Sequence, residues 1–245
     1  MSFPRRLKLA AQMMEWRELS VRRQRCTLCR FSLLVKFGSR EHSVRCPRCG
    51  ANPAALAMAE VLQNRVGDLG SRKAYELSSR GPLFRFLKCH TRELVFSEFF
   101  DDLQPGESRD GIMCQDVQNL TFADHSFDVC TSTDVLEHVP DDRVAFGELH
   151  RVLKPGGCVV FTVPLDISSA TVERAKLSEL GVQHLLPPEF HDDHLRGAHR
   201  VLCFRNYGFD IVDRVREQGF SSAEILTPDS SRWWHYDRHV VIGYR

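Results

Sequence analysis

Few side chains in this 245-residue sequence stand at spacings that do chemistry, and the cysteines come first. Cys26-Thr27-Leu28-Cys29 and Cys46-Pro47-Arg48-Cys49-Gly50 are two CxxC knuckles with sixteen residues between them. This is zinc-ribbon spacing: four thiolates can hold one tetrahedral Zn²⁺, and the short span between the knuckles folds as a hairpin. Disulfide pairing is the competing reading. It is disfavoured because Met1-Ser2-Phe3-Pro4-Arg5-Arg6 lacks the apolar segment and cleavage site of a secretory leader, so the expected compartment is the cytoplasm. Cys89, Cys114, Cys130, Cys158 and Cys203 show no ligand spacing and read as reduced, small hydrophobic residues.

A second set is carboxylate and imidazole. Asp134, Glu137 and His138 share a face if the segment that holds them begins a helix, being three and four apart. His138 is then a candidate base, with a hydrogen-bonded structural role as the alternative. Further on, Pro187-Pro188-Glu189-Phe190-His191-Asp192-Asp193-His194 packs histidines and acids into one short polar stretch. His191 with Asp192 can serve as a base and its orienting partner, the cluster can hold a metal, or the whole can be a solvated loop.

The elements that must position these groups are legible between residues 70 and 165. Ile112 to Asp116 reads as a short strand, with Val117 behind it. Phe127 to Ser132 is a short apolar strand of the kind buried in a parallel sheet, followed by the polar segment Asp134 to His138. Ligands of open α/β sheets bind at such strand ends. From Asp141 the apolar positions Ala145, Leu149, Val152 and Leu153 recur at helical spacing. Lys154-Pro155-Gly156-Gly157 then stops the helix before the strand Val159 to Val163. Strand, helix, turn and strand make one right-handed crossover.

That order of residues, with Phe127-Asp128-Val129, Asp134-Val135-Leu136-Glu137-His138-Val139-Pro140 and Glu148 to Gly157, resembles the second half of the class I S-adenosylmethionine-dependent methyltransferases, in their small-molecule, methyltransferase type 11-like branch. The resemblance implies a Rossmann-like seven-stranded α/β sheet. It also implies that Asp116 accepts from the cofactor's adenine amino group with Val117 against the ring. Glu98, closing Leu94-Val95-Phe96-Ser97-Glu98, would meet the ribose hydroxyls, and Ser132 and Thr133 would approach the amino-acid part. The Asp134, Glu137, His138 spacing is similar to an acidic-histidine cluster that holds a divalent metal in the ubiquinone-biosynthesis O-methyltransferases. Taken singly, Asp116 and Glu98 are ordinary loop acids; together, at successive strand ends, they favour the cofactor reading.

One motif departs from the family. Where an acid and a G-x-G-x-G turn are usual after strand one, Tyr75-Glu76-Leu77-Ser78-Ser79-Arg80-Gly81-Pro82 stands, with a single glycine. Glu76, Ser78 and Gly81 are then the cofactor-binding candidates, and Ser78 and Ser79 must either adopt a glycine's geometry or reshape the turn. The helix between strands two and three is reduced to Phe99 to Gly106.

The chain is expected to divide into a basic N-terminal helix and four-cysteine zinc ribbon (1–50), a linker helix (51–70) with Asn52 as cap, Pro53 in the first turn and Gly67 as its stop, and a methyltransferase domain (71–245). Val240 to Tyr244 suits the last, antiparallel strand pair, and Trp233-Trp234-His235-Tyr236 packs on the sheet or covers the cleft. No apolar run is long enough to span a membrane. The net charge of +1 hides an asymmetry: residues 1–50 hold twelve Lys and Arg against three Glu, and the remainder 21 against 29 acids. A basic helix over Arg5 to Arg25 and the ribbon can dock on the acidic remainder of the chain or, alternatively, grip nucleic acid or an anionic lipid surface. The leading expectation is an S-adenosylmethionine-dependent methyltransferase acting on a hydroxyl or carboxyl of a small molecule or glycan. The alternatives are a catalytically inactive methyltransferase-fold binding or scaffold protein and an RNA or DNA methyltransferase.

Overall fold

The computed structural model describes residues 16–39, 43–193, 199–229, 231–234 and 238–245. Three short strands, β1 (Ser20–Arg22), β2 (Leu34–Lys36) and β3 (Val44–Arg45), form an antiparallel sheet in the order β1-β2-β3 around the four knuckle cysteines. The basic helix expected over Arg5 to Arg25 does not extend through this region: Ser20–Arg22 pairs as a strand with Leu34–Lys36. Arg5, Arg6 and Lys8 lie outside the described residues.

Helix α1 (Pro53–Val61) follows, with Asn52 accepting from the Ala55 N–H and Pro53 in the first turn. It continues through a wider turn over Leu62–Val66 and ends at Gly67, whose φ of +76° is the left-handed stop a glycine supplies. The main sheet is then laid down by β4 (Lys73–Glu76), α2 (Gly81–His90), β5 (Glu93–Glu98), β6 (Ser108–Arg109), β7 (Ile112–Cys114), β8 (Phe127–Thr133), α3 (Asp142–Val152) and β9 (Leu153–Thr162). An insertion of short strands comes next: β10 (Leu165–Asp166), β11 (Val172–Glu173), β12 (Ala175–Ser178), β13 (Gly181–His184), β14 (Phe190–Asp193), β15 (His199–Leu202) and β16 (Arg205–Gly208). Helix α4 (Ile211–Arg216) and the strands β17 (Ser222–Leu226) and β18 (Val240–Tyr244) close the chain.

The sheet order is β17-β18-β9-β8-β4-β5-β7-β6. Neighbours from β9 to β7 are parallel, and β18 enters antiparallel beside β9, as the sequence leads one to expect. Eight strands stand where seven are expected, because Ser108–Arg109 adds a two-residue edge to β7. Phe99 to Gly106 holds no helix.

Side chains on a strand alternate between faces, and here the alternation separates two cores. Ala74, Val129, Val160 and Ile242 face one way, onto α1, α2 and the ribbon. Their chain neighbours Tyr75, Cys130, Val159 and Val241 face the other, onto α3 and α4. The first core includes Cys26, Leu28, Leu34, Val44 and Cys46, so the ribbon packs into the same hydrophobic body as the sheet. Its attachment is apolar burial and a few hydrogen bonds: Thr27 Oγ1 to the Leu56 carbonyl (2.9 Å), Gln63 Nε2 to the Thr27 carbonyl (2.9 Å) and Arg85 Nη2 to the Cys49 carbonyl (2.7 Å). The described part of the ribbon therefore docks on its own chain, but through its apolar side, leaving Arg22, Arg23 and Arg25 exposed. Trp234 is fully buried in this core and Trp233 packs against it; His235 and Tyr236 lie outside the described residues.

Candidate active site

The two cysteine knuckles repeat one backbone pattern. The Cys26 N–H donates to the Phe31 carbonyl and the Arg30 N–H to the Cys26 carbonyl; the Cys46 N–H donates to Ala51 and the Gly50 N–H to Cys46 in the same way. The residue after each second cysteine, Arg30 at φ +61° and Gly50 at φ +75°, is left-handed. The four sulfurs lie within 4.8 Å of one another, with Cys26–Cys49 at 3.6 Å and Cys29–Cys46 at 3.5 Å. A disulfide requires about 2.0 Å, whereas sulfurs about 2.3 Å from a tetrahedral zinc stand about 3.8 Å apart. The donors fit that ion.

At the carboxyl ends of the parallel strands a cleft of about 640 Å³ opens. One half is lined by the end of β4 and its turn (Tyr75, Leu77, Ser78, Arg80), the end of β5 (Ser97, Glu98, Phe99), the loop after β7 (Gln115, Asp116, Val117) and Thr133. The serine turn is reshaped rather than strained, since neither Ser78 nor Ser79 has a positive φ. Glu98 holds it: its Oε1 accepts from the Ser79 N–H at 2.7 Å, the Ser79 hydroxyl at 2.8 Å and the Ser78 hydroxyl at 3.4 Å. The one glycine sits at the one position of the turn that needs it, Gly81, with φ +95°. Asp116 faces the cleft with its Oδ1 accepting from the Gln118 N–H at 2.9 Å.

Three expected residues are placed differently. Gly81 opens α2 outside the cleft lining. Glu76 is buried beneath the cleft and accepts a short hydrogen bond from the Thr131 hydroxyl. Burial pushes its carboxyl up to about 8. Ser132 is buried outside the lining; its hydroxyl and that of Thr133 have no hydrogen-bond partner among the described residues.

Asp134, Glu137 and His138 do not share a face. Asp134 lines the cleft but is itself left-handed, at φ +53°, and its carboxylate is held at the sheet, where Oδ1 accepts from Thr162 Oγ1 (3.1 Å) and Oδ2 from Arg238 Nη2 (2.8 Å). Leu136–His138 forms a single 3₁₀ turn, and His191 of β14 takes the place expected of Asp134. His138 Nδ1 stands 2.8 Å from the Leu202 carbonyl, which can only accept, so this nitrogen carries the proton and Nε2 keeps a lone pair when the ring is neutral. His191 Nδ1 is 3.2 Å from that Nε2, and Glu137 Oε1 is 3.6 Å from each. Glu137 is 1% exposed, and among the described residues neither of its carboxylate oxygens has a hydrogen-bond partner. Glu189 Oε1 lies 3.4 Å from His191 Nε2. Chiefly the Glu137 carboxylate, against the effect of burial, raises the His191 imidazole above its ordinary value. The side chains of Asp192 and His194 lie outside the description. His138 and His191 line the second half of the cleft together with the apolar Leu177, Val182, Val201, Leu202 and Phe204.

Glu189 belongs to the polar stretch read from the sequence as a candidate metal cluster; Arg205, which helps fix this arrangement, is not foreseen as a site residue from the sequence. A lone charge in the run Cys203-Phe204-Arg205-Asn206-Tyr207 is the available signal for Arg205.

Residues 84–161 match the family model described as "Methyltransferase domain". A demethylmenaquinone methyltransferase of Staphylococcus epidermidis is 56% identical over 45 residues, 18% of this chain and 19% of that one. A ubiquinone biosynthesis O-methyltransferase of Thiobacillus denitrificans is 31% identical over 144 residues, 59% of this chain and 53% of its relative. The chain thus spans only about a fifth to a half of the length of these curated relatives. An S-adenosylmethionine-dependent methyltransferase from Mesorhizobium loti superposes with a TM-score of 0.51 at 18% identity, over 77% of this chain and 98% of the other. Residues 84–161 thus resemble the methyltransferase domain family, on a chain whose fold is that of the class I S-adenosylmethionine-dependent methyltransferases.

Proposed function

We propose that the protein is an S-adenosylmethionine-dependent methyltransferase acting on a hydroxyl of a small molecule or glycan. The observation that carries this is the division of one cleft into two chemistries. On one side stand Glu98, Asp116, Val117, Ser78 and Thr133 at successive strand ends. On the other stand the paired imidazoles of His138 and His191 among apolar walls. The cofactor supplies the methyl group from a sulfonium when bound. The chain's own part is to hold it against Glu98 and Asp116, to keep the acceptor oxygen in line, and to take up the acceptor's proton at the histidine pair. The Thr133 hydroxyl, which lines the cleft and has no partner among the described residues, supplies a donor for the cofactor's amino-acid end. Asp134, engaged by Arg238, has no part in the proton transfer.

Calorimetric titration with S-adenosylmethionine and S-adenosylhomocysteine tests the cofactor half. Binding in the micromolar range that Asp116→Ala weakens is expected. No binding at millimolar cofactor would leave a methyltransferase fold without the activity.

One observation favours a second reading of the histidine side. Donors about 2.1 Å from a divalent cation stand about 3.0–3.4 Å apart, close to the 3.2, 3.6 and 3.6 Å found among His138 Nε2, His191 Nδ1 and Glu137 Oε1. A cation held there would stabilise negative charge on an acceptor oxygen. Titration with Co²⁺ after the cysteine site is filled distinguishes the two: a second stoichiometric ion lost in Glu137→Gln supports the cation, and its absence supports the imidazoles alone.

Residues 1–50 serve, in this reading, as a zinc ribbon, 51–70 as the linking helix and 71–245 as the catalytic domain. Nine unpaired cysteines suit a reducing, cytoplasmic setting. Among the described residues no helix is long and apolar enough to cross a membrane.

A further inference from the structure

Arg205, on the strand returning from the insertion, is 2% exposed. A guanidinium presents five N–H donors in a rigid fork and keeps its charge, so a buried one must find acceptors on several sides. Here Nη1 donates to the Leu136 carbonyl at 3.2 Å and the Val139 carbonyl at 2.6 Å, and Nη2 to the Pro140 carbonyl at 2.7 Å. Nε donates to Glu173 Oε2 at 3.1 Å. The three carbonyls belong to the turn that carries Glu137 and His138. The Leu136 carbonyl also accepts from the Val139 N–H at 3.2 Å, closing the turn, while the Val139 and Pro140 carbonyls lie past its end, where intrahelical donors run out; Arg205 reaches all three together.

The residues around Arg205 fasten the same turn. The Phe204 N–H donates to the Glu137 carbonyl at 2.7 Å, the Tyr207 hydroxyl to Leu136 at 3.3 Å, and His138 Nδ1 to Leu202. On its other side this segment pairs with the strand of His191: Val201 lies opposite His191, and the Cys203 N–H donates to the Glu189 carbonyl at 2.8 Å. Residues 201–205 therefore touch both histidine-bearing elements.

We infer that Arg205 is a positioning residue, whose fork across three carbonyls sets the His138 turn in register with the insertion and so brings His138 and His191 together. Its catalytic meaning rests on the proposed role of that pair; its geometry does not. Lysine keeps the charge but has no planar fork to span three acceptors. Arg214 is the natural control, because it joins the same ionic cluster through Asp142 and Glu173 but donates to none of the three carbonyls.

The experiment uses full-length, zinc-loaded protein with ¹⁵N-labelled histidine. Side-chain nitrogen shifts read the His138 tautomer, a ring-to-ring NOE reads the His138–His191 contact, and near-UV circular dichroism with cofactor titration reads the fold. Arg205→Lys and Arg205→Ala should lose the NOE and the Nδ1–H tautomer while keeping cofactor affinity within about threefold of wild type. Guanidinium ion should restore both signals in Arg205→Ala, and Arg214→Lys should keep both. The inference is overturned if Arg205→Lys retains the NOE and tautomer, or if Arg214→Lys loses them equally. Loss of tertiary structure in both Arg205 variants, with Arg214→Lys folded, would make the residue structural and overturn it too. Wild-type protein that binds no cofactor would sink the methyltransferase reading, yet leave the histidine signals readable.

Discussion

Ser79 gives both its backbone N–H and its hydroxyl to a single oxygen of Glu98, at 2.7 and 2.8 Å. A strand-end acid thereby anchors the turn that a glycine-rich motif would otherwise form. Hydrogen bonds to a charged acceptor contribute about 1.5–3 kcal/mol each. Glu98→Ala should therefore weaken S-adenosylmethionine binding by about tenfold or more and free the Ser79 amide to exchange. Persistent protection of that amide in the variant would show that the turn holds without Glu98.

The ribbon's cysteines sit in the same core as the sheet, so their metal should stabilise the whole body and not the knuckles alone. Cys46→Ser is expected to abolish stoichiometric zinc and lower the unfolding midpoint by about 10 °C, taking about 3 kcal/mol of lost stability at about 3 °C per kcal/mol. Metal content by chelator assay and thermal unfolding followed at Trp233 and Trp234 give the two readings. An unchanged midpoint after zinc loss would mean that the ribbon contributes nothing to the core.

Glu76 provides a pH signature. Its folded carboxyl, raised by burial to about 8, binds a proton that the unfolded chain releases near pH 4.3. The folded state thus holds the extra proton between about pH 4 and 8, and stability falls as pH rises through that window, by at most about 1.4 kcal/mol per unit, then levels off. Glu76→Gln should remove this slope and unfold at higher urea than wild type near pH 8. Parallel pH profiles for the two proteins would mean that Glu76 is already ionised when folded.

Asp134 is expected to matter for stability and not for proton transfer. Asp134→Asn leaves the Arg238 guanidinium, 7% exposed, without its carboxylate. The cost should be about 2 kcal/mol, below that of a fully buried pair because the Asp134 side chain is partly open to solvent. Urea unfolding measures it, and the His138–His191 NOE should be unaffected. Loss of that NOE would tie Asp134 to the histidine pair after all.

Much of this was legible in the chain because it rests on local rules. The knuckle spacing, the Asn52 cap, the helix from Asp141 and the strands ending at Glu98 and Thr133 all follow from neighbours in sequence. What escaped reading was set at long range. The left-handed backbone at Asp134 costs it the face it would share with Glu137, and its reason lies in Thr162 and Arg238, 28 and 104 residues away. His191 meets His138 in its place, across 53 residues of chain, through a strand pairing that periodicity does not register.

Helix α1 is buried from Pro53 through Ala59, with cysteine knuckles on one flank and the sheet on the other. A helix with no wet side cannot survive the loss of either neighbour. The N-terminal unit is thus no detachable cassette that recombination could add or remove: a lineage that discarded the four cysteines would have to repaint α1 with polar residues in the same evolutionary step.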